Sequence, residues 1–238
     1  MKLAILQPNY IPWRGYFDLI GLVDVFVLYD DVQYTKDDWR NRNQILGPSG
    51  PFWLTIPVKT KGLMGQKINE VKVLQNNWQK KHWRSIEVNY QKAPFFKNYG
   101  SELFELYQNE FEFLIDVNKK FIFKICEWLG IRTKIICSSE IVYAGESASE
   151  KVLSICEVMG ATEYLSGPSA KNYLNEKLFE QNSVKVNYMD YSKYKPYPQL
   201  FSGFESHPLS IIDLLFNCGS ESIKYLLIPK SKSLSTAR

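Results

Sequence analysis

The sequence predicts an α/β fold built on a parallel, nucleotide-binding-like sheet, interrupted by a β insertion and a helical segment. Three observations carry this. Lys2–Leu6 and Val25–Tyr29 are short apolar runs separated by one short amphipathic stretch, a βαβ spacing. Strand-like and helix-like segments alternate again from residue 134 onward. Between them lie a turn-rich stretch and a long stretch of helical period.

In chain order, Lys2–Leu6 reads as a buried strand closed by Gln7-Pro8. Pro8 and Pro12 keep the next loop out of helix, and Gly15 allows close backbone approach. From Tyr16, the spacing of Phe17, Ile20, Leu22 and Val23 predicts a short helix. A second strand, Val25–Tyr29, ends on Asp30 and Asp31. Within the insertion, about residues 35–75, Phe52–Val58 and Ile68–Leu74 have strand composition and Lys59–Lys67 reads as an exposed loop. Residues 77–130 read as helical, with a stripe of Leu114, Val117, Phe121, Ile125 and Trp128 stopped by Gly130.

Lys134–Ile136 follows as a strand. Ser147 and Glu150 form a capping box ahead of a helix closed by Gly160. Glu163–Leu165 is a strand, Ser166–Ser169 a turn, Asn172–Gln181 a helix and Val184–Tyr188 a strand. Tyr191–Phe204, rich in Tyr and Pro, reads as an ordered irregular loop, and Pro208–Phe216 as the final helix. The expected organisation is one domain over residues 1–228, with 229–238 a polar, flexible tail.

Composition narrows the function classes. Among 238 residues, 29 Lys and Arg face 25 Asp and Glu, a net charge of +4, and 45% of residues are apolar. That is core-forming material, which excludes a disordered chain. Positive and negative residues alternate, so nucleic acid is not an expected partner. Four scattered cysteines, none in a CxxC pair, read as buried hydrophobes in a reducing compartment. Two distant histidines give no metal site. The apolar start is too short for a signal peptide, and no run spans a membrane. The expected protein is cytoplasmic and makes no membrane insertion.

Ligands of open parallel sheets bind beyond the carboxyl ends of the strands, which selects four segments. In the first, Gln7 and Asn9 offer amides, Tyr10, Trp13 and Tyr16 offer stacking faces, and the helix start at Gly15 suits a phosphate. The alternative for these aromatics is core packing. In the second, Asp30 and Asp31 suit a base or sugar-hydroxyl acceptor, with Tyr34 beside them; the alternative is a capped turn. Ser138-Ser139-Glu140 is the third. Ser166, Gly167 and Lys171 mark the fourth, an anion-loop composition without P-loop spacing. Arg40 and Arg42, flanked by Asn41 and Asn43, suit phosphate or carboxylate. Lys59 follows a strand, and His207 precedes a helix as a capping or loop residue. His82 is a candidate base, with a packed core imidazole as its alternative.

The runs Ile5-Leu6-Gln7-Pro8-Asn9-Tyr10-Ile11-Pro12-Trp13-Arg14-Gly15-Tyr16-Phe17, Asp30–Tyr34 and Asn41-Arg42-Asn43 resemble the start of the WbqC-like family. Trp53–Val58, Tyr164–Pro168 and Leu209–Gly219 resemble its later parts, so the likeness spans nearly the whole chain. The resemblance implies a sugar N-acyltransferase or aminoacyl (glycyl) transferase acting on a nucleotide-linked amino sugar in bacterial O-antigen or surface-polysaccharide synthesis. It implies an activated acyl or aminoacyl donor, ATP-derived as an acyl-adenylate, or carried as a thioester or as aminoacyl-tRNA. On this reading Asp30 or His82 serves as base and Asn9, Asn43 or backbone N–H groups hold the oxyanion. The alternative function is a non-catalytic module that binds a nucleotide sugar or glycan.

The strand, Pro loop, Trp13-Arg14-Gly15-Tyr16 and helix also resemble the layout of the His-x-Gly-His nucleotidyltransferases of the HUP class, a Rossmann-like architecture. Trp13 and Tyr16 stand where that motif has histidines, which argues against adenylyl transfer itself.

Overall fold

A computed structural model describes residues 1–203 and 208–229. Its centre is a five-stranded parallel sheet of β1 (Lys2–Leu6), β2 (Val25–Leu28), β5 (Lys134–Cys137), β6 (Glu163–Ser166) and β7 (Lys185–Tyr188), in the order β5-β2-β1-β6-β7. The chain steps from β1 outward to β2 and β5, then returns to the other side of β1 for β6 and β7. The order therefore reverses beside β1, where doubly wound sheets open a crevice at their carboxyl edge.

Side chains alternate across the sheet and supply two cores. Leu3, Ile5, Val25 and Val27 face α5 (Ala148–Val158) and Phe179 of α6 (Glu176–Gln181). Ala4, Phe26 and Leu28 face the other way, into the larger cluster holding Phe17 and Ile20 of α1 (Arg14–Gly21) and Phe121 and Ile125 of α4 (Leu114–Trp128). Burial on both faces is why β1 and β2 read as unbroken apolar runs. The expected capping box is present: the Ser147 side chain accepts from Glu150 N, and Glu150 accepts from Ser147 N. Gly130 and Gly160 adopt the positive φ that ends α4 and α5.

The insertion departs from expectation. Its hairpin pairs β3 (Arg42–Gly47) with β4 (Gly50–Thr55), so the Arg42–Asn43 stretch begins a strand. Ile68–Leu74 is no strand: Ile68–Glu70 is a 3₁₀ turn, and only single bridges join Val58 to Val73 and Lys72 to Phe113. The β-branched residues there serve burial, since Ile68 and Val71 are fully enclosed. The helical segment comprises α2 (Trp78–Tyr90), α3 (Phe96–Tyr107) and α4. The expected helix at 172–181 is shorter: Pro168–Asn172 forms a 3₁₀ turn and α6 follows. The last helix, α7, spans Ile211–Cys218. All four cysteines are free and buried. The expectation for the tail falls almost wholly outside the described residues.

The close approach anticipated at Gly15 is to Trp13. A Cβ at Gly15 would lie 2.7 Å from Cη2 of that indole. Gly15→Ala is therefore expected to displace Trp13 and cost about 1–3 kcal/mol. Unchanged near-ultraviolet dichroism and unfolding midpoint in that variant would remove the packing role.

Candidate functional site

The Gln7–Trp13 loop is held in one shape by side chains from distant elements. Asn118 Nδ2 of α4 donates to Pro8 O at 3.1 Å and Arg40 O at 2.9 Å. Asn43 Nδ2 donates to Tyr10 O at 3.1 Å and Ile11 O at 2.9 Å. Between these clamps Ile11, a β-branched residue, sits at φ 34°, a conformation that strained functional loops preserve. Ile211 N at the start of α7 donates to Pro12 O, and Trp13 bridges Ser210.

This loop presents Trp13 as a partition between two chambers. The larger, about 470 Å³, is walled by Trp13, Arg14, Tyr191, Tyr194, Tyr197 and the α7 start. The smaller, about 270 Å³, is lined by Asn9, Pro12, Trp13, Trp39, Asn43 and Pro208. Trp13 meets Tyr191 and Tyr194 edge-on, with ring centroids 4.8 and 5.8 Å away. The Arg14 guanidinium lies 4.0 Å from the Tyr194 ring centre and donates to Lys195 O at 2.9 Å. The α1 N-terminus, which opens here, has no side-chain cap, so it can receive an anion.

Two buried carboxylates stand behind the larger chamber. Asp18 accepts from the Tyr194 hydroxyl and from Leu227 N, and burial pushes its pKa up to about 6 against the lowering by those bonds and by Arg14. Asp213 of α7 accepts from Tyr90 at 2.8 Å, Tyr197 at 2.7 Å and Gln199 at 2.8 Å. Burial raises its pKa despite these bonds. Asn9 lines the smaller chamber, and among the described residues its buried Oδ1 has no hydrogen-bond partner, an expensive condition that a ligand donor relieves.

The other sequence-selected residues divide by location. Asp30 and Asp31, selected from the sequence as strand-end ligands, are on neither chamber wall and so lie apart from Trp13's chambers. Asp30 accepts from Ser138 Oγ and Ser139 N, both at 3.0 Å, and from Ser139 Oγ at 2.8 Å. Asp31 accepts from Ser138 and from Tyr143 at 2.8 Å. The pair thus ties the end of β2 to the end of β5.

Tyr10, Tyr16 and His82 are core residues, because their polar atoms are satisfied inside the protein. Tyr16 donates to Gln7 O at 3.1 Å. His82 Nε2 donates to Thr55 O at 3.1 Å, which leaves Nδ1 to accept from Tyr10 at 2.9 Å; Tyr10 also bonds Tyr107. Burial lowers the His82 pKa to about 4, below the ordinary 6.5. Its folded pKa is depressed, so its contribution is complete above about pH 6.5. That contribution is lost as pH falls through about 4, on the order of 3 kcal/mol. His82→Gln is expected to flatten this acid limb when unfolding free energies are compared from pH 7 to pH 4. An equally steep limb in the variant would refute it.

Gln7 and the buried Ser166 stand at adjacent strand ends, with Gly167 beyond, where an added side chain would meet no atom. Lys171 lies 5.1 Å from the Tyr188 ring centre, away from both chambers. Lys59 lines a separate hollow with Leu63, Gln66 and Lys72. Tyr34 is buried, with its pKa raised to about 12 by burial and the neighbouring Asp37, opposed by Arg40. Arg40 pairs with Asp38, and Arg42 bonds the Asp37 carbonyl. His207 lies outside the described residues.

Sequence reasoning missed Arg14, Tyr191, Tyr194, Tyr197, Asp18 and Asp213. The signal for the tyrosines was their spacing of three within the Tyr/Pro loop. Among the described residues no group of three or more His, Cys, Asp or Glu could hold a metal, and no helix is long and apolar enough to cross a membrane.

A five-stranded parallel sheet with clamped loops at its carboxyl edge defines a Rossmann-like α/β protein. The chain belongs to the WbqC-like protein family, whose model matches residues 7–225. It is 45% identical over 226 residues to the uncharacterized protein Rv1507c of Mycobacterium tuberculosis (strain ATCC 25618 / H37Rv), a match covering 94% of this chain and 97% of that protein. No solved structure matches.

Proposed function

We propose that this protein transfers an acyl or aminoacyl group to the amine of a nucleotide-linked amino sugar used in bacterial O-antigen or surface-polysaccharide assembly. The observation that carries the reading is the pair of chambers sharing Trp13, unlike in chemistry on its two sides. The larger suits a nucleotide diphosphate: tyrosines flank the base, and Arg14 with the uncapped α1 N-terminus meets the phosphates. The smaller suits an amino sugar: indole faces pack against the ring, and Asn9 Oδ1 accepts an N–H of its amine.

The amine nitrogen then attacks the activated carbonyl. A C–N bond forms, the C–O or C–S bond to the carrier breaks, and the carrier leaves with that electron pair. The nitrogen loses one proton. That proton passes to solvent, because Asp18 and the Tyr194 hydroxyl that donates to it stand at the larger chamber, across Trp13 from the amine. Asp30, with three internal bonds, positions the strand ends in this reading. The substrate is a cytoplasmic metabolite, which implies a cytoplasmic site of action.

The test is incubation with nucleotide-linked 4-amino-4,6-dideoxyhexoses and activated acetyl or glycyl donors, read by mass spectrometry. The expected product carries one added acyl or glycyl group, and Asn9→Ala slows its formation. The full engagement of Asp30 and His82 favours a second reading, a non-catalytic nucleotide-sugar or glycan module. Saturable binding with no product under any donor would establish that second reading.

A further inference from the structure

Outside the smaller chamber, Trp39 and Trp53 form a half-exposed aromatic pair, with ring centroids 5.2 Å apart and planes tilted by 47°. Trp39 also lines the smaller chamber, so the pair continues the groove from the proposed acylation point to the surface. Above Trp53 the Arg42 guanidinium sits 4.3 Å from the ring centre. Arg42 bonds the Asp37 carbonyl, and its side chain stays 27% exposed beside the indoles. Adjacent exposed indoles offer flat stacking faces, and a partly exposed guanidinium beside them offers N–H donors to an anion. Flat aromatic faces plus arginine donors together match a nucleobase joined to phosphate.

We infer that Trp39, Trp53 and Arg42 form a platform for the adenosine phosphate of the activated acyl donor. The inference rests on the acyl-transfer reading for the name of its occupant. Activated acyl groups travel as adenylates, as thioesters of coenzyme A or as esters of the terminal adenosine of transfer RNA. All three present an adenine and a phosphate at the end remote from, or adjoining, the reactive carbonyl. The platform takes that shared handle and directs the carbonyl into the smaller chamber, while the acceptor nucleotide occupies the larger one.

Isothermal titration of the full chain with AMP, coenzyme A and the ribotrinucleotide CCA tests this, and the strongest binder identifies the carrier. At least one is expected to bind saturably. Trp53→Ala and Arg42→Ala should each weaken it about tenfold, whereas Trp53→Phe retains most of the affinity. In the same variants, binding of the nucleotide amino sugar should stay within about twofold of wild type, which also reports an intact fold. Equal binding to wild type and Trp53→Ala, or no binding by any of the three, overturns the platform. Trp53-dependent adenosine binding without product formation keeps the platform and removes the acyl-transfer reading.

Discussion

Replacing Asp213 with alanine is expected to destabilise the protein by on the order of 3–5 kcal/mol. The side chain is fully buried, and three donors converge on it from α2, from the Tyr/Pro loop and from Gln199. Removing the acceptor strands two tyrosine hydroxyls and an amide in a closed interior. The Tyr90 oxygen also accepts from Leu46 N of the hairpin at 2.9 Å, so the loss spreads to β3. Asp213→Asn retains one acceptor oxygen and should cost roughly half as much. Chemical denaturation settles the matter. A midpoint for Asp213→Ala close to wild type would mean that this hub does not hold α7 to the rest.

The second large effect is on binding. Trp13→Ala removes the wall common to both chambers and the edge-on contacts with Tyr191 and Tyr194. Affinity for a nucleotide-linked amino sugar should fall by about two orders of magnitude, or roughly 3 kcal/mol. Arg14→Ala leaves the partition standing but removes the guanidinium, for which about tenfold to a hundredfold is expected. Wild-type affinity in both variants, measured by titration calorimetry, would move the ligand elsewhere on the molecule.

Much of the fold was legible because the local pattern and the global architecture agree. The apolar runs of β1 and β2, the capping box at Ser147 and the stops at Gly130 and Gly160 are local signals with one reading each. Ile68–Leu74 misled because β-branched residues serve burial as well as strand pairing, and only the partner chain segments decide between them. Arg42 and Asn43, which the sequence offers as anion ligands, begin β3, and Asn43 clamps the strained loop, a role that only the distant Tyr10 and Ile11 carbonyls reveal.

At the site, Asn9 and Trp13 were legible as strand-end residues, since position along a parallel strand is a local property. The tyrosines and buried carboxylates were not. Asp18 meets Tyr194 across 176 residues and Asp30 meets Ser138 across 108. Nothing within a short window separates such a carboxylate from a solvated one. His82 and Tyr16 likewise looked functional until their partners, Thr55, Tyr10 and Gln7, were in place.

The most direct measurement is a crystal structure soaked with a nucleotide-linked amino sugar. Phosphate density is expected beside Arg14 at the head of α1, with the sugar ring against Trp13 and its amine beside Asn9. Density confined to the Asp30–Ser138 edge, or chambers filled by the protein's own side chains, would contradict it.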